Sequence, residues 1–208
     1  GVILFSRNVK GFKQIKKLIK DIRFIFKDKN YPILIDQEGG RVNRLNKLIE
    51  TSILTAEFFG NLYKKNKKKF FNYYKIYINQ ISYLLNEIGV NINTVPVLVV
   101  RRAKSSNVIG DRSYSSLPKN VSKIGDVCIE EFKKKGIGTV IKHIPGHGLA
   151  KVDSHKLTPV VKKKMKYLYK NVFAPFKNKK TFFAMTAHVI YKDIDPINTA
   201  THSPKIIK

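Results

Sequence analysis

The chain has 208 residues, of which 43% are hydrophobic, and it carries a formal net charge of +27. This length and composition suit one globular domain with a sizeable core, and they exclude a disordered chain. No apolar run approaches the roughly 18 residues that a membrane span needs, so we expect no membrane partner. The single cysteine, Cys128, excludes an intramolecular disulfide and fits a reducing compartment, for which we predict the cytoplasm.

The positive charge favours a nucleic-acid-binding protein, but the type of basic residue argues against that hypothesis. Only seven of the 41 basic residues are arginine, the side chain best suited to base edges and to bidentate phosphate contacts. We interpret the lysine clusters as solvent-exposed helix faces and loops, and we expect no nucleic-acid partner. The clusters are residues 67–69, residues 162–164, and Lys177, Lys179 and Lys180.

Short apolar segments alternate with segments of helical periodicity along the chain. The apolar segments predict strands near residues 2–5, 33–36, 92–99, 138–142 and 182–186. The periodic segments predict helices over residues 12–26, 74–88, 121–132 and 165–176. Gly89 and Gly136 end the second and third helices. Cys128 lies on the apolar stripe of the third helix, which places it in the core.

The predicted strands lack the alternation of a half-exposed sheet, so both of their faces are buried, as in a parallel α/β sheet. Polar residues cluster directly after the strands, which is where a (β/α)8 barrel carries its active site. A doubly wound sheet is the rival, but its Gly-x-Gly-x-x-Gly turn between a strand and a helix is absent. The sequence therefore predicts an α/β fold, an incomplete (β/α)8 TIM barrel with about five of its eight strands.

Both ends of the chain favour a piece of a longer protein. The chain begins at Gly1 inside an apolar run, with no initiator methionine. It ends after Ser203-Pro204, which predicts the start of a helix with Ser203 as its N-cap. Since such barrels usually run to about 250 residues or more, we expect residues 1–208 to form one partial catalytic domain.

The segment from residue 142 to residue 155 holds most of the candidate chemistry, with three histidines, two lysines and an aspartate on a Gly/Pro-rich loop after a strand. His143, His147 and His155 could bind zinc, but Pro145 and two glycines disfavour the helix that a His-x-x-x-His site needs, so we expect no metal. Asp153 and His155 could form an acid/base dyad, because a carboxylate bonded to one ring nitrogen raises the imidazole pKa. Two independent solvent-facing side chains are the alternative.

A second candidate segment, Asp36-Gln37-Glu38-Gly39-Gly40-Arg41, ends the second predicted strand. A carboxylate at the tip of a buried strand can bind sugar hydroxyls or a metal, and the two glycines allow a sharp turn. An ordinary strand-exit turn is the alternative.

These segments together resemble the glycoside hydrolase family 3 β-N-acetylglucosaminidases, in particular the bacterial members of peptidoglycan recycling. The similar segments occur in the order and spacing of that family over nearly the whole chain. They are residues 1–8, 35–44, 95–98, 108–114 and 142–148, together with Asp153-Ser154-His155, residues 185–188 and Asp195-Pro196.

The resemblance implies hydrolysis of terminal, non-reducing β-linked N-acetylglucosamine from peptidoglycan fragments, the GlcNAc-1,6-anhydro-MurNAc peptides, with retention of configuration. It implies that His155 is the general acid/base and Asp153 its partner on a mobile loop. It also implies five sugar-binding residues, a monomer, and no cofactor. The five residues are Asp36, Arg44, Arg112, Lys142 and His143.

Two departures from the family leave alternatives open. The family usually has aspartate where this chain has Val99, so a local hydrogen bond is expected to be lost. The family's aspartate nucleophile lies on a later strand, which would begin beyond Lys208, so we expect residues 1–208 alone to be inactive. An inactive sugar-binding remnant and a basic nucleic-acid-binding protein are the alternatives to a glycosidase.

Overall fold

The structure is a computed structural model, and it describes residues 1–102, 107–150, 152 and 157–207. The strands within these residues are Val2–Leu4 (β1), Ile33–Ile35 (β2), Gln37–Gly39 (β3), Val42–Asn43 (β4), Ile92–Asn93 (β5), Gly138–Ile144 (β6), Val160–Val161 (β7), Phe183–Thr186 (β8) and Ile190–Tyr191 (β9). The α-helices are Phe12–Ile25 (α1), Ala56–Lys65 (α2), Lys67–Ile88 (α3), Pro118–Lys133 (α4), Met165–Leu168 (α5) and Pro204–Ile207 (α6).

The main sheet is parallel throughout, and its strands follow one another in the order β1, β2, β5, β6, β8. Helices connect these strands, so each crossover returns to the neighbouring position, as in a (β/α)8 barrel. The prediction of an incomplete barrel is confirmed, with five parallel strands in the part of the chain that the structure describes. The rival doubly wound sheet is wrong, because its strand order would reverse.

The core lies between the sheet and the helices that cover its outer face. Ile19 of α1, Ile78 of α3 and Ile124 of α4 are each at most 1% exposed and pack in one cluster with Ile33 of β2. Cys128 is buried in the same cluster, as predicted. The helical periodicity of these segments therefore identified the faces that pack on the sheet. Of the helices in the described ranges, none is both long and apolar enough to cross a membrane.

Two predicted elements are shorter or less regular than expected, and a proline accounts for each. The strand predicted over residues 92–99 is regular only over Ile92–Asn93, followed by an isolated bridge from Val97 to Lys142. Pro96 has no N–H to donate to the ladder. The helix predicted over residues 165–176 continues after α5 as a π-turn and then a 3₁₀-turn that contains Pro175, which cannot continue an α-helix.

Three features were not predicted from the sequence. The antiparallel pair β3–β4 follows β2 directly, and the parallel pair β7–β9 lies outside the main sheet. Helix α2 precedes α3, and Thr55 caps it by accepting a hydrogen bond from the backbone N–H of Phe58. Each of these strands has at most three residues, too few to show a period of two.

The expectation that the lysine clusters are exposed is wrong for Lys179. Its side chain is 2% exposed, and its Nζ donates to Asp126 Oδ1 at 2.7 Å and to Ser122 Oγ at 2.7 Å. Lysine buries its aliphatic stem readily when its ammonium finds acceptors, and here α4 supplies them. The other lysines of the clusters are exposed.

Candidate functional site

The carboxyl edge of the main sheet brings together polar residues that are far apart in sequence. Asp36 directly follows β2, Thr94 directly follows β5, and Lys142 lies near the end of β6. Since parallel strands end at the same edge, these residues become neighbours there. Lys142 is 1% exposed although it carries a charge, and a buried charge of this kind requires partners.

Lys142 bridges two carboxylates at this edge. Its Nζ lies 2.8 Å from Asp36 Oδ1 and 2.6 Å from Glu38 Oε1, and it also donates to Thr94 Oγ1 at 3.0 Å. Thr94 in turn donates to Asp36 Oδ1. An ammonium has three N–H donors, so the protein already provides an acceptor for each of them.

Arg112 forms the second half of this ionic cluster. Its Nε and Nη2 donate to the two oxygens of Glu38 at 2.8 Å each, which is a bidentate pair. A third donor of the guanidinium, Nη1, reaches the carbonyl of Val108 at 3.2 Å. Arg44 lies on the other side, with Nη2 at 3.6 Å from Asp36 Oδ2. The cluster therefore alternates negative and positive charges from Arg44 to Arg112.

These contacts keep both carboxylates ionised. Burial alone would raise the pKa of Asp36, but the Lys142 ammonium and the hydrogen bonds to it lower the pKa to about 2. Burial opposes ionisation of Glu38 as well, and Lys142 together with Arg112 lowers its pKa to about 2. Neither carboxyl group carries a proton at neutral pH, so neither can serve as a general acid there.

Arg41 holds the loop that leads to Arg112. Its Nη2 donates to the carbonyl oxygens of three consecutive residues at 2.6 to 3.0 Å, and its Nε lies 2.9 Å from Asp111 Oδ1. The three residues are Asn107, Val108 and Ile109. Because Arg112 follows in the next turn, this guanidinium fixes the backbone from which the Arg112 side chain extends.

His143 lies beside this cluster in a cleft of about 170 Å³. Burial disfavours its imidazolium form, and the nearby Lys142 and Arg112 cations disfavour it further, which lowers the pKa of His143 to about 3. The ring is therefore neutral at pH 7. Its Nδ1 is buried and has no hydrogen-bond partner among the described residues. The cleft is lined by Val108, Ile109, Arg112, His143, His147, Met185, Thr186, Ala187 and His188.

We expect His143 to make the stability of the protein depend on pH. The unfolded histidine binds a proton below its ordinary pKa of about 6.5, whereas folded His143 does not until about pH 3. The unfolded state thus binds more protons in this range, and the free energy of unfolding falls as the pH drops from 6.5 to 4.5, by up to about 2 kcal/mol. Urea denaturation at several pH values measures this decline.

The control for this experiment is a pair of histidine variants. His143→Gln should flatten the decline between pH 6.5 and 4.5, while His202→Gln, at an exposed position, should leave it as in the wild type. An unchanged slope in His143→Gln would contradict the buried, neutral state of His143.

The far wall of the cleft is a network of hydroxyl groups around His188. The Nδ1 of His188 lies 2.9 Å from Thr201 Oγ1, which is also 2.9 Å from Thr186 Oγ1. These bonds fix the orientation of a ring at the end of β8. Asp195 stabilises the following turn by accepting hydrogen bonds from the backbone of Asn198 and from Ser203 Oγ. Ser203 precedes α6 as expected, but its hydroxyl is bonded to Asp195.

The structure brings the five residues that were predicted to bind sugar to one edge of the sheet. Asp36 contacts both Arg44 and Lys142, while Arg112 joins them through Glu38. His143 shares the cleft with Arg112. The predicted dyad, Asp153 and His155, lies outside the described residues.

Sequence reasoning did not assign roles to Glu38, Thr94 and Arg41. Glu38 and Arg41 belong to the candidate segment over residues 36–41. The sequence signal for Glu38 is its position two residues after Asp36, which places both side chains on one face of an extended chain. Thr94 had no such signal, because its partners are distant in sequence.

Val99 occupies an apolar position next to the site. It is fully buried and packs in a small cluster with Val97 and Ile109. Its carbonyl accepts a hydrogen bond from Ser113 Oγ at 2.7 Å. A Cβ on Gly148 would lie 3.2 Å from Val99 Cγ1 and 2.0 Å from the Val100 carbonyl, so the loop after β6 packs tightly here and requires glycine.

Comparison with known proteins yields one family and a consistent set of relatives. The family described as "Glycosyl hydrolase family 3 N terminal domain" matches residues 1–208. A β-hexosaminidase of Idiomarina loihiensis is 32% identical over 202 residues, which cover 94% of this chain and 58% of the relative. β-Hexosaminidase A of Pseudoalteromonas piscicida is 32% identical over 207 residues, 94% of this chain and 33% of the relative.

Solved structures agree with this comparison. NagZ from Neisseria gonorrhoeae, in complex with N-trifluoroacetyl-D-glucosamine, has a TM-score of 0.87 at 27% identity, covering 96% of this chain and 59% of that chain. A glycoside hydrolase family 3 β-N-acetylglucosaminidase from Paenibacillus sp. str. FPU-7 has a TM-score of 0.85 at 30% identity, covering 99% and 39%. The chain thus spans less than two thirds of the length of these relatives.

Proposed function

The chain belongs to glycosyl hydrolase family 3, whose N-terminal domain it matches over residues 1–208, and we therefore propose that the protein is a β-N-acetylhexosaminidase that removes terminal β-linked N-acetylglucosamine. The observation that carries this proposal is the ionic cluster at the carboxyl edge of the barrel. It presents the guanidinium of Arg112 and the neutral imidazole of His143 to one cleft, and Glu38 and Lys142 join Arg112 to the ionised carboxylate of Asp36.

The chemistry of this cluster suits an uncharged, polyhydroxylated ligand. Asp36 Oδ1 already accepts hydrogen bonds from Lys142 and Thr94, whereas within the described part of the chain Oδ2 has only the 3.6 Å contact with Arg44. Oδ2 is therefore the oxygen that can accept from sugar hydroxyls, and a charge-assisted hydrogen bond of this kind is strong. The remaining N–H groups of Arg44 and Arg112 can donate to hydroxyl or acetamido oxygens.

The chemical step requires groups besides this cluster. Retaining hydrolysis uses a carboxylate nucleophile and a second group that acts first as acid and then as base. Asp36 and Glu38 are ionised and lie beside cations, so neither suits proton transfer. We propose His155, partnered by Asp153, as the acid/base, and an aspartate beyond Lys208 as the nucleophile.

The natural substrate that we propose is a peptidoglycan fragment with a terminal N-acetylglucosamine. Two curated relatives are β-hexosaminidases, and one solved relative was crystallised with N-trifluoroacetyl-D-glucosamine. We further propose that the enzyme is a cytoplasmic monomer that needs no cofactor, and that residues 1–208 are one part of its catalytic domain.

Hydrolysis of an aryl β-N-acetylglucosaminide by the full-length protein tests this function. We expect release of N-acetylglucosamine with the β-anomer formed first, as NMR spectroscopy of the early product shows. An aryl β-glucoside, which lacks the acetamido group, is the control and should react far more slowly. Formation of the α-anomer first would exclude retention. Sugar binding without hydrolysis by the full-length protein would favour the alternative, an inactive sugar-binding remnant.

A further inference from the structure

Glu38 is the most buried acidic group of the site, and two cations of the protein bind its carboxylate. Its side chain is 7% exposed. Oε1 accepts from Lys142 at 2.6 Å and from Arg112 Nη2 at 2.8 Å, and Oε2 accepts from Arg112 Nε at 2.8 Å. Since these bonds occupy both oxygens, Glu38 has no evident role as a direct ligand of a sugar.

Asp36 differs from Glu38 in this respect, although one lysine binds both. The Asp36 side chain is 14% exposed, twice the value for Glu38, and its Oδ2 lacks a close partner among the described residues. The two carboxylates therefore differ in how fully cations bind them. Glu38 has a cation within 2.8 Å of each oxygen, whereas Asp36 has one within 2.8 Å of Oδ1 and one at 3.6 Å from Oδ2.

Building on the proposed function, we propose that Glu38 is the positioning residue of the sugar site. By binding Lys142 it fixes the cation that orients Asp36, and by binding Arg112 bidentately it fixes the plane of the guanidinium that faces the cleft. Without Glu38, the bond to the Val108 carbonyl is the one that the guanidinium keeps among the described residues, and a single bond does not determine its plane.

The negative charge of Glu38 is required as well as its shape. A glutamine has nearly the same shape, but its amide offers one acceptor oxygen and one NH₂ donor. The NH₂ group would face either the Lys142 ammonium or the Arg112 Nε–H, both of which are donors. One of the two cations must then move away, and a buried cation that loses its partner disturbs its neighbours strongly.

The test measures N-acetylglucosamine affinity of the full-length protein by calorimetry, in the wild type and in three variants. Glu38→Gln should raise the Kd at least tenfold, and Glu38→Asp, which keeps the charge but is one methylene shorter, should raise it less. Asp126→Asn is the matched control, because it also removes the carboxylate partner of a lysine that is 2% exposed, Lys179, at a place remote from the cleft. It should lower the Tm yet change the Kd less than twofold.

A double-mutant cycle separates positioning from a merely structural effect. If Glu38 acts through Arg112, then Glu38→Gln should change the Kd by a smaller factor in an Arg112→Gln background than in the wild type. Equal factors in the two backgrounds, or a Glu38→Gln affinity within twofold of the wild type, would overturn the inference. A wild-type protein that binds no N-acetylglucosamine would instead refute the proposed function and the inference with it.

Discussion

Replacing His155 by alanine in the full-length enzyme is expected to slow hydrolysis of substrates with poor leaving groups by about 10²–10⁴-fold. The proposed role of His155 is to protonate the departing glycosidic oxygen. A basic alkoxide needs that proton in the transition state, whereas an acidic phenolate leaves without it. The measurement is kcat/KM for a series of glycosides with leaving groups of increasing pKa.

The same series contains its own control. Dinitrophenolate is a good leaving group that needs no proton, so cleavage of a dinitrophenyl glycoside by the His155→Ala enzyme should be nearly unaffected. Equal losses on all leaving groups would contradict an acid role for His155.

Asp153→Asn should lower the pH at which activity declines on the alkaline side, because a carboxylate beside an imidazole stabilises the imidazolium form.

Replacing Asp36 by alanine is expected to weaken N-acetylglucosamine binding by about a hundredfold, or a few kcal/mol. The variant removes Oδ2, the oxygen that we propose accepts from sugar hydroxyls, and it leaves Lys142 with Glu38 and Thr94 as its acceptors. We therefore expect a lower free energy of unfolding as well, since removing one partner of a buried ion pair is destabilising.

Asp21→Ala is the control for the Asp36 variant. Asp21 also pairs with a lysine, Lys17, but it lies on the exposed face of α1, with half of its side chain exposed. Exposed pairs contribute little, so this variant should retain both affinity and stability. An Asp36→Ala enzyme with wild-type affinity for N-acetylglucosamine would remove Asp36 from the sugar site.

Much of the barrel could be predicted from the sequence because its buried segments carry strong patterns. The apolar stripes of α1, α3 and α4 each mark the face of the helix that is buried, and the strands between them are apolar on both sides. The sequence pattern predicts the structure less well where a proline or an element of two or three residues is present, as at Pro96, Pro175 and the hairpin β3–β4. Such details depend on individual backbone hydrogen bonds rather than on periodicity.

The candidate site was predictable to a smaller degree. A polar residue at the end of a buried strand is visible in sequence, so Asp36 and Lys142 could be selected. Their mutual contact could not, since it joins positions 106 residues apart. Glu38 shows the limit most clearly, because only the spatial arrangement shows that Lys142 and Arg112 bind both of its oxygens, whereas Oδ2 of Asp36 has a cation no closer than 3.6 Å among the described residues.

The ionic cluster also has a consequence for how the strands find their register. Lys142 faces Asp36 and Glu38, while the preceding residue, Ile141, packs with Leu98 and residues of α4. A slip of β6 by one residue would exchange these two environments, because neighbouring side chains point to opposite faces of a strand. The ammonium would then lie in the apolar layer with no acceptor, at a cost of several kcal/mol. The charges of the ionic cluster therefore also favour the correct alignment of β6.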